Sequence, residues 1–276
     1  MNQRWTVIAV VILVVLVVAI FLARHKSDGT AVVAAGPSST STASADKKLY
    51  EDSVKLENDG QKLEAKAAYQ KIVNEYSDFD QMESIQKHLG DLNLDIILSS
   101  FETPNTEMYE VQAGDSLGKL AKKFNTTVDL IKQNNNLQND IIRLGQRLRI
   151  WKGKFNIFVD KSQNILILKS GEDVIKVYNV STGLNNSTPV GNFKIVSKLV
   201  DPVWFKSGAV VPPESPANVL GTRWMGFDIA GYGIHGTTEP DKIGQQVTAG
   251  CVRMRNEEVE QLYMLIPVGT EVRVQD

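Results

Sequence analysis

Cys251 and His235 are the residues of this sequence with the greatest capacity for covalent chemistry. Cys251 is the single cysteine of the chain, and His235 precedes it by sixteen residues. A cysteine attacks as a thiolate, and a neighbouring imidazole favours that form and carries the proton to a leaving group. We therefore predict a catalytic pair, with Cys251 as the nucleophile and His235 as the proton donor and acceptor.

Gly250, directly before the cysteine, adds to this prediction. A residue without Cβ lets the backbone approach a substrate closely, so we expect the amides of Gly250 and Cys251 to donate to an oxyanion. The alternative is that Cys251 is a small buried apolar residue and His235 a structural one. Residue types and spacing alone leave both interpretations open.

Composition excludes several other functions. The chain of 276 residues has 30 basic and 32 acidic side chains, whereas a nucleic-acid-binding protein normally shows a strongly basic surface. A single cysteine excludes an internal disulfide, and three histidines in separate segments argue against a zinc site. No Gly-x-Gly-x-x-Gly motif opens a βαβ unit and no Walker motif is present, so we expect no nucleotide site. We therefore predict no nucleic-acid partner and no metal. We also predict no cofactor, because a thiolate, an imidazole and backbone donors supply the expected chemistry.

The N-terminal segment predicts a membrane anchor. Residues 5–23 are apolar except for Thr6, and a run of 19 residues is long enough to cross a bilayer. Arg24, His25 and Lys26 follow it where a cleaved signal would have small residues. We predict a retained transmembrane anchor over residues 1–26. Residues 27–45, rich in Gly, Ala, Ser and Thr, are predicted to form a flexible linker.

Residues 46–100 predict a short helical module. Apolar residues recur at helical spacing in two stripes, and Asn58-Asp59-Gly60 gives a turn between helices. The spacing resembles a tetratricopeptide repeat, but little more than one copy is present and solenoids need about three. The acidic module would either dock a protein partner or act as a spacer that packs on its neighbours.

Residues 108–151 combine two short strands with two helices. Tyr109 and Val111 alternate as a strand, Gly114-Asp115-Ser116 gives a turn and a helix cap, and Gly145-Gln146 leads into a closing strand. Together with Asn136-Leu137, these motifs resemble a LysM domain. That resemblance implies a βααβ fold that binds glycans containing N-acetylglucosamine, such as peptidoglycan.

Residues 153–276 change to a period of two, which is typical of strands. Segments 156–160, 165–169 and 174–180 are separated by turns, and we predict a mainly-β sandwich or small barrel. The complete prediction is a multidomain α+β chain with a transmembrane helix, a helical module, a LysM domain and this β domain.

Four ordered motifs of the β domain resemble an L,D-transpeptidase catalytic domain of the YkuD type. They are Thr188-Pro189-Val190-Gly191-x-Phe193, Asn218-Val219-Leu220-Gly221, Ile234-His235-Gly236-Thr237 and Gly250-Cys251-Val252-Arg253-Met254. Val219 replaces the usual proline, and Thr248-Ala249 replaces the usual serine and polar residue before Gly-Cys. These departures affect the expected rate and specificity but leave the nucleophile and the base in place.

The resemblance implies particular roles for these residues. Cys251 would be the nucleophile, His235 the general acid and base, and the carbonyl of Gly236 would orient the imidazole. Thr248 and Trp224 are candidate substrate-binding residues. Arg253 would hold the loop or a substrate carboxylate, with a structural ion pair as the alternative.

The predicted function is cross-linking of peptidoglycan in the bacterial envelope. By the resemblance, Cys251 would form a thioester with the third residue of a stem peptide, and the acceptor would be the amine of another stem. Because this substrate lies outside the cytoplasm, the catalytic part is expected on the outer side of the membrane, with glycan strands and stem peptides as partners. The charges that flank the apolar run do not fix this orientation. Two alternatives stay open: an L,D-carboxypeptidase that uses the same residues, and a non-enzymatic scaffold that binds glycan.

Overall fold

The computed structural model describes residues 42–76, 79–206 and 208–276. The predicted transmembrane anchor at 1–26 and most of the predicted linker lie outside these residues. Within the described residues, no helix is both long and apolar enough to cross a membrane. The last residues of the predicted linker are helical, because the first helix begins at Thr42.

Three helices form the N-terminal part of the described chain. They are α1 (Thr42–Asn58), α2 (Lys62–Glu75) and α3 (Met82–Leu98). Ala65, Tyr69 and Ile72 form the buried stripe of α2, as the helical spacing predicts. Gly60 lies in the turn between α1 and α2. Its φ is +77°, a conformation that glycine adopts without strain.

The chain divides into two compact units within α3, between His88 and Leu89. In the second unit, the Asn93 amide donates to the carbonyls of Val174 and Ile175 at 3.3 and 2.9 Å. Asp91 pairs with Lys176 at 2.8 Å. Residues 89–98 therefore pack with the C-terminal β domain. By contrast, the sequence pattern assigns them to the helical module.

The LysM segment has the predicted βααβ order. Its elements are β1 (Thr106–Glu110), α4 (Leu117–Phe124), α5 (Val128–Asn134) and β2 (Arg147–Trp151), with β1 and β2 antiparallel. Ser116 and Thr127 cap the helices, because their hydroxyls accept from the amides of Lys119 and Leu130. The apolar residues of both helices meet the two strands in a small core of their own.

The strands of the C-terminal domain are β3 (Phe155–Asp160), β4 (Ile165–Ser170), β5 (Asp173–Asn179), β6 (Thr182–Gly183), β7 (Gly191–Val200), β8 (Trp204–Lys206), β9 (Ala209–Val211), β10 (Arg223–Phe227), β11 (Gly233–His235), β12 (Gln246–Thr248), β13 (Val252–Arg253) and β14 (Glu271–Gln275). Eight of them form one sheet of order β13-β11-β10-β7-β14-β3-β4-β5, with β6–β12 and β8–β9 as separate ribbons. The domain is β-rich, as the sequence predicts. The domain also contains helix α6 (Asn256–Leu265), which the sequence pattern did not predict. This helix packs three buried residues into the core.

The LysM domain packs directly against the C-terminal domain. The hydroxyl of Thr127 donates to the carbonyl of Met264 at the end of α6. Leu130 and Trp151 share one buried core with Leu262. The two domains are therefore joined by a packed core rather than by a flexible tether alone.

Candidate active site

The pairing of two strands brings the backbone of His235 and that of Cys251 close together. Strands β11 and β13 are parallel, with Ile234 opposite Val252 and His235 opposite Arg253. Ile234 and Val252 are fully buried in the core. Cys251 directly precedes β13, so it lies two residues before the strand partner of His235. The two residues singled out from the sequence therefore lie at the same strand pair.

The thiol of Cys251 is partly exposed and lies 3.5 Å from the carbonyl oxygen of Gly231, to which it donates. Partial burial raises the pKa of the Cys251 thiol, since it penalises the charged thiolate. The backbone of Gly233 and the positive charge of Arg253 act in the opposite direction but more weakly. Before substrate binds, Cys251 is therefore mostly a thiol near neutral pH.

The imidazole of His235 is 3% exposed, and its Nδ1 lies 2.6 Å from the carbonyl oxygen of Gly236. A carbonyl can only accept, so this contact assigns the proton of the neutral ring to Nδ1 and leaves Nε2 as the basic atom. Burial lowers the pKa of His235 to about 4. The indole of Trp224 stacks on the ring with centroids 6.0 Å apart. His235 is thus a neutral, oriented base.

The loop before Cys251 is held by hydrogen bonds of its own. The amide of Gly250 donates to the Thr248 hydroxyl at 3.1 Å, and that hydroxyl donates to the carbonyl of Cys251 at 2.6 Å. The expected oxyanion donor at Gly250 is therefore already engaged within the loop. Thr248, expected to bind substrate, is 6% exposed and uses its hydroxyl to shape the loop instead.

Gly250 is required at its position for steric reasons. Its φ is +122°, and a Cβ there would lie 2.6 Å from Cε1 of Tyr232. Thr188 also supports this loop, through Gly183. The hydroxyl of Thr188 accepts from the amide of Gly183 at 2.7 Å, and Gly183 lies against Gly250. A Cβ on Gly183 would lie 2.9 Å from the Cα of Gly250. Two of the sequence motifs therefore meet at the nucleophile loop.

Arg253 is buried and forms an ion pair with Glu239 at 3.1 Å through Nη1. The ion pair is the structural role that was the predicted alternative to substrate binding for Arg253. Its Nε is buried and has no hydrogen-bond partner within the described part of the chain. The positive charge of Arg253 acts on both His235 and Cys251, lowering the pKa of each.

Two asparagines that had no predicted role also build the site. The Asn218 amide donates to the carbonyl of Pro202 at 2.9 Å, while its oxygen accepts from the amide of Leu220 at 3.0 Å. Asn256, the first residue of α6, accepts from the amides of Thr222 and Thr237 at 3.2 and 3.0 Å. Asn218 lies within a motif quoted above. Asn256 carried only the weak signal of an asparagine near a helix start.

A single thiol and a buried imidazole of fixed orientation thus lie at one strand pair of a β-rich domain. The L,D-transpeptidase catalytic-domain model of the YkuD type matches residues 154–274, and the LysM domain model matches residues 109–151. The YkuD-type and LysM resemblances found in the sequence are thus confirmed.

Two relatives carry the name of the same family. YqjB of Bacillus subtilis, named as an L,D-transpeptidase, is 40% identical over 126 residues, which cover 44% of this chain and 70% of YqjB. YkuD of the same organism, named likewise, is 30% identical over 174 residues, which cover 60% of this chain and 97% of YkuD. The chain belongs to the YkuD-type L,D-transpeptidase family and carries a LysM domain.

Among solved structures, an L,D-transpeptidase from Mycobacterium tuberculosis aligns with a TM-score of 0.40 at 19% identity. The match covers 48% of this chain and 63% of that structure.

Proposed function

We propose that this protein is a peptidoglycan L,D-transpeptidase with Cys251 as nucleophile and His235 as general base and acid. The observation that carries the proposal is the pairing of β11 with β13, which brings Cys251 and His235 to one strand pair, with the imidazole fixed by the carbonyl of Gly236 at 2.6 Å. A base of fixed orientation near the sole thiol of the chain supports thiol acyl transfer.

The geometry favours proton transfer during attack over a preformed thiolate–imidazolium pair. His235 is neutral above about pH 4, and the raised pKa of Cys251 keeps most of the thiol protonated. Nε2 would take the thiol proton as sulfur attacks the carbonyl carbon of the third stem residue. The C–S bond forms, the C–N bond to D-alanine breaks, and the leaving amine receives the proton from His235.

In the second half of the reaction, an acceptor amine attacks the thioester and His235 carries the proton in the opposite direction. An amine of a second stem peptide attacks its carbonyl, His235 accepts the amine proton, and the thiol of Cys251 is released with that proton. Bond making and breaking balance without a redox step or a cofactor. Since the Gly250 amide is engaged with Thr248, the amide of Cys251 is the candidate oxyanion donor.

Arg253 and Trp224 are the residues we assign to substrate contact. The unpartnered, buried Nε of Arg253 suits a carboxylate of the stem peptide, because a charged acceptor would satisfy it. The indole of Trp224, stacked on His235, would form one wall of the acyl site.

The LysM domain would hold the enzyme on glycan strands and raise the local concentration of stem peptides at Cys251. Because the domain packs on the end of α6, the glycan-binding and catalytic parts would have a defined spacing. We further propose that residues 1–26 anchor the chain in the cytoplasmic membrane, with the catalytic domain on the wall side.

The test is incubation of the full-length protein with purified peptidoglycan, followed by muramidase digestion and mass spectrometry. We expect new dimers linked between third residues, and their loss in Cys251→Ala. Shortened monomers without dimers would instead indicate an L,D-carboxypeptidase. A folded wild-type protein that binds cell wall but yields neither product would identify a scaffold and overturn the enzymatic proposal.

A further inference from the structure

Asn256 joins two loops of the site through a single oxygen. It is the first residue of α6, and its Oδ1 accepts from the amide of Thr222 at 3.2 Å and from the amide of Thr237 at 3.0 Å. The preceding residue, Arg255, occupies the N-cap position without a side-chain cap. The Asn256 oxygen therefore serves the two loops rather than the amides of its own helix.

Two glycines mark how closely these loops approach the oxygen. A Cβ on Gly221 or on Gly236 would lie 2.2 Å from Oδ1 of Asn256, well inside contact distance. Gly221 also has a φ of +63°, which favours glycine. Both glycines lie in sequence motifs of the domain. A side chain at either position would collide with Asn256, which explains why both residues are glycine.

One of these loops carries the carbonyl group that orients His235. The Gly236 carbonyl accepts from Nδ1, and its peptide includes the amide of Thr237 that Asn256 binds. Fixing the amide of Thr237 consequently fixes the carbonyl that faces the ring. The amide of Thr222, bound by the same oxygen, ties the second loop to this peptide.

We propose that Asn256 is a positioning residue which, through Oδ1, holds the Gly236 carbonyl in place and thereby sets the orientation and tautomer of His235. Its Oδ1 accepts from the amides of Thr222 and Thr237, so it acts through the two loops. Its effect on rate depends on the function proposed above, whereas its effect on the imidazole does not.

The test compares full-length wild type with Asn256→Ala, which removes the acceptor, and Asn256→Asp, which keeps it. Glu257→Ala, at an exposed position on the same helix, is the matched control. Two measurements are made: the ring ¹⁵N shifts of His235, which report its tautomer, and the acylation kinetics with a carbapenem. If Asn256→Ala does not fold, Asn256→Ser takes its place.

We expect Asn256→Ala to lower the maximal acylation rate about 10- to 100-fold, because a displaced catalytic group loses rate steeply. The half-saturating carbapenem concentration should change little, and the His235 shifts should move toward a mixture of tautomers. Asn256→Asp should restore the tautomer and most of the rate, while Glu257→Ala should behave as wild type.

Unchanged His235 shifts in folded Asn256→Ala would overturn the proposal. So would an Asp variant that is folded but has the same displaced imidazole as the Ala variant. If wild type is not acylated at all, the transpeptidase proposal fails, and the ¹⁵N shifts still decide the role of Asn256.

Discussion

His235 donates from Nδ1 to the carbonyl oxygen of its own neighbour, Gly236, at 2.6 Å. The contact spans one residue and is made at the end of β11, where the chain leaves the sheet. It fixes the ring without a carboxylate, so no negative charge from that acceptor raises the basicity of the imidazole. With burial, this leaves His235 neutral and Nε2 available as a base.

The reactivity of Cys251 should rise continuously with pH. Its pKa is raised by burial, and the neutral His235 provides no positive charge near neutrality, so the thiolate fraction grows about tenfold per pH unit. We expect the rate of alkylation by iodoacetamide to follow that slope from pH 6 to 8. The single cysteine makes whole-protein mass spectrometry sufficient, and a rate already level from pH 5 would demonstrate a preformed ion pair instead.

His235 should also contribute to acid sensitivity. In the unfolded chain it binds a proton below about pH 6.5, whereas in the folded protein its pKa is about 4. The unfolded state therefore binds more protons between these values, and stability falls as the pH drops from about 6.5 to 4. The two pKa values differ by enough to make this loss about 3 kcal/mol.

His235→Gln keeps a polar side chain but cannot titrate, so it is the appropriate comparison. Unfolding in urea at pH 7.5 and pH 4.5 should show that wild type loses about 2 to 3 kcal/mol more than the variant. Carboxylates titrate in both proteins and cancel in this difference. Equal losses in the two proteins would contradict a buried neutral imidazole.

Removing the Thr248 hydroxyl should loosen the nucleophile loop. Thr248→Val has a similar shape but leaves the Gly250 amide and the Cys251 carbonyl without their partner. We expect a loss of about 1 to 3 kcal/mol in unfolding free energy, because buried polar groups become unsatisfied, together with slower acylation. Thr248→Ser retains the hydroxyl and should stay near wild type. A valine variant as stable and active as the serine variant would show that these bonds are dispensable.

The sequence predicts local structure better than it predicts assembly. Alternating apolar residues identify β3, β4 and β5 to within one residue at each end, because both the pleat and the pattern have a period of two. The parallel pairing of β14 with β3 joins segments more than a hundred residues apart, and no local pattern encodes it. Helix α6 was missed because it is only ten residues long and lies among strands.

The same limit applies to the site. Residue types and motifs selected Cys251 and His235, but only the pairing of β11 with β13 brings them to one strand pair. The sequence also did not show that the Gly250 amide, expected to bind an oxyanion, donates to Thr248, a side chain two residues away. Such competition depends on loop geometry, which composition does not specify.

Arg149 should be important for joining the LysM domain to α3. It is 3% exposed, and its guanidinium donates to the carbonyls of Phe101, Ile97 and Ile96 at 2.6, 3.3 and 3.4 Å. Two of these carbonyls belong to the last turn of α3, where a positive charge is also favoured by the helix dipole. Replacement should therefore free the end of α3 as well as weaken the LysM contact.

We expect Arg149→Met to cost about 2 to 4 kcal/mol in unfolding free energy, since several buried carbonyls lose a charged donor at once. Hydrogen exchange should accelerate in the last two turns of α3, while the core of β3 and β4 stays protected. Arg147→Met is the matched control, because Arg147 lies on the same strand and face but is exposed, and should change stability by less than about 0.5 kcal/mol. If the two variants prove equally stable, Arg149 does not join these elements, and the LysM domain is held instead by the common core of Leu130 and Trp151 with α6 and by the Thr127–Met264 hydrogen bond.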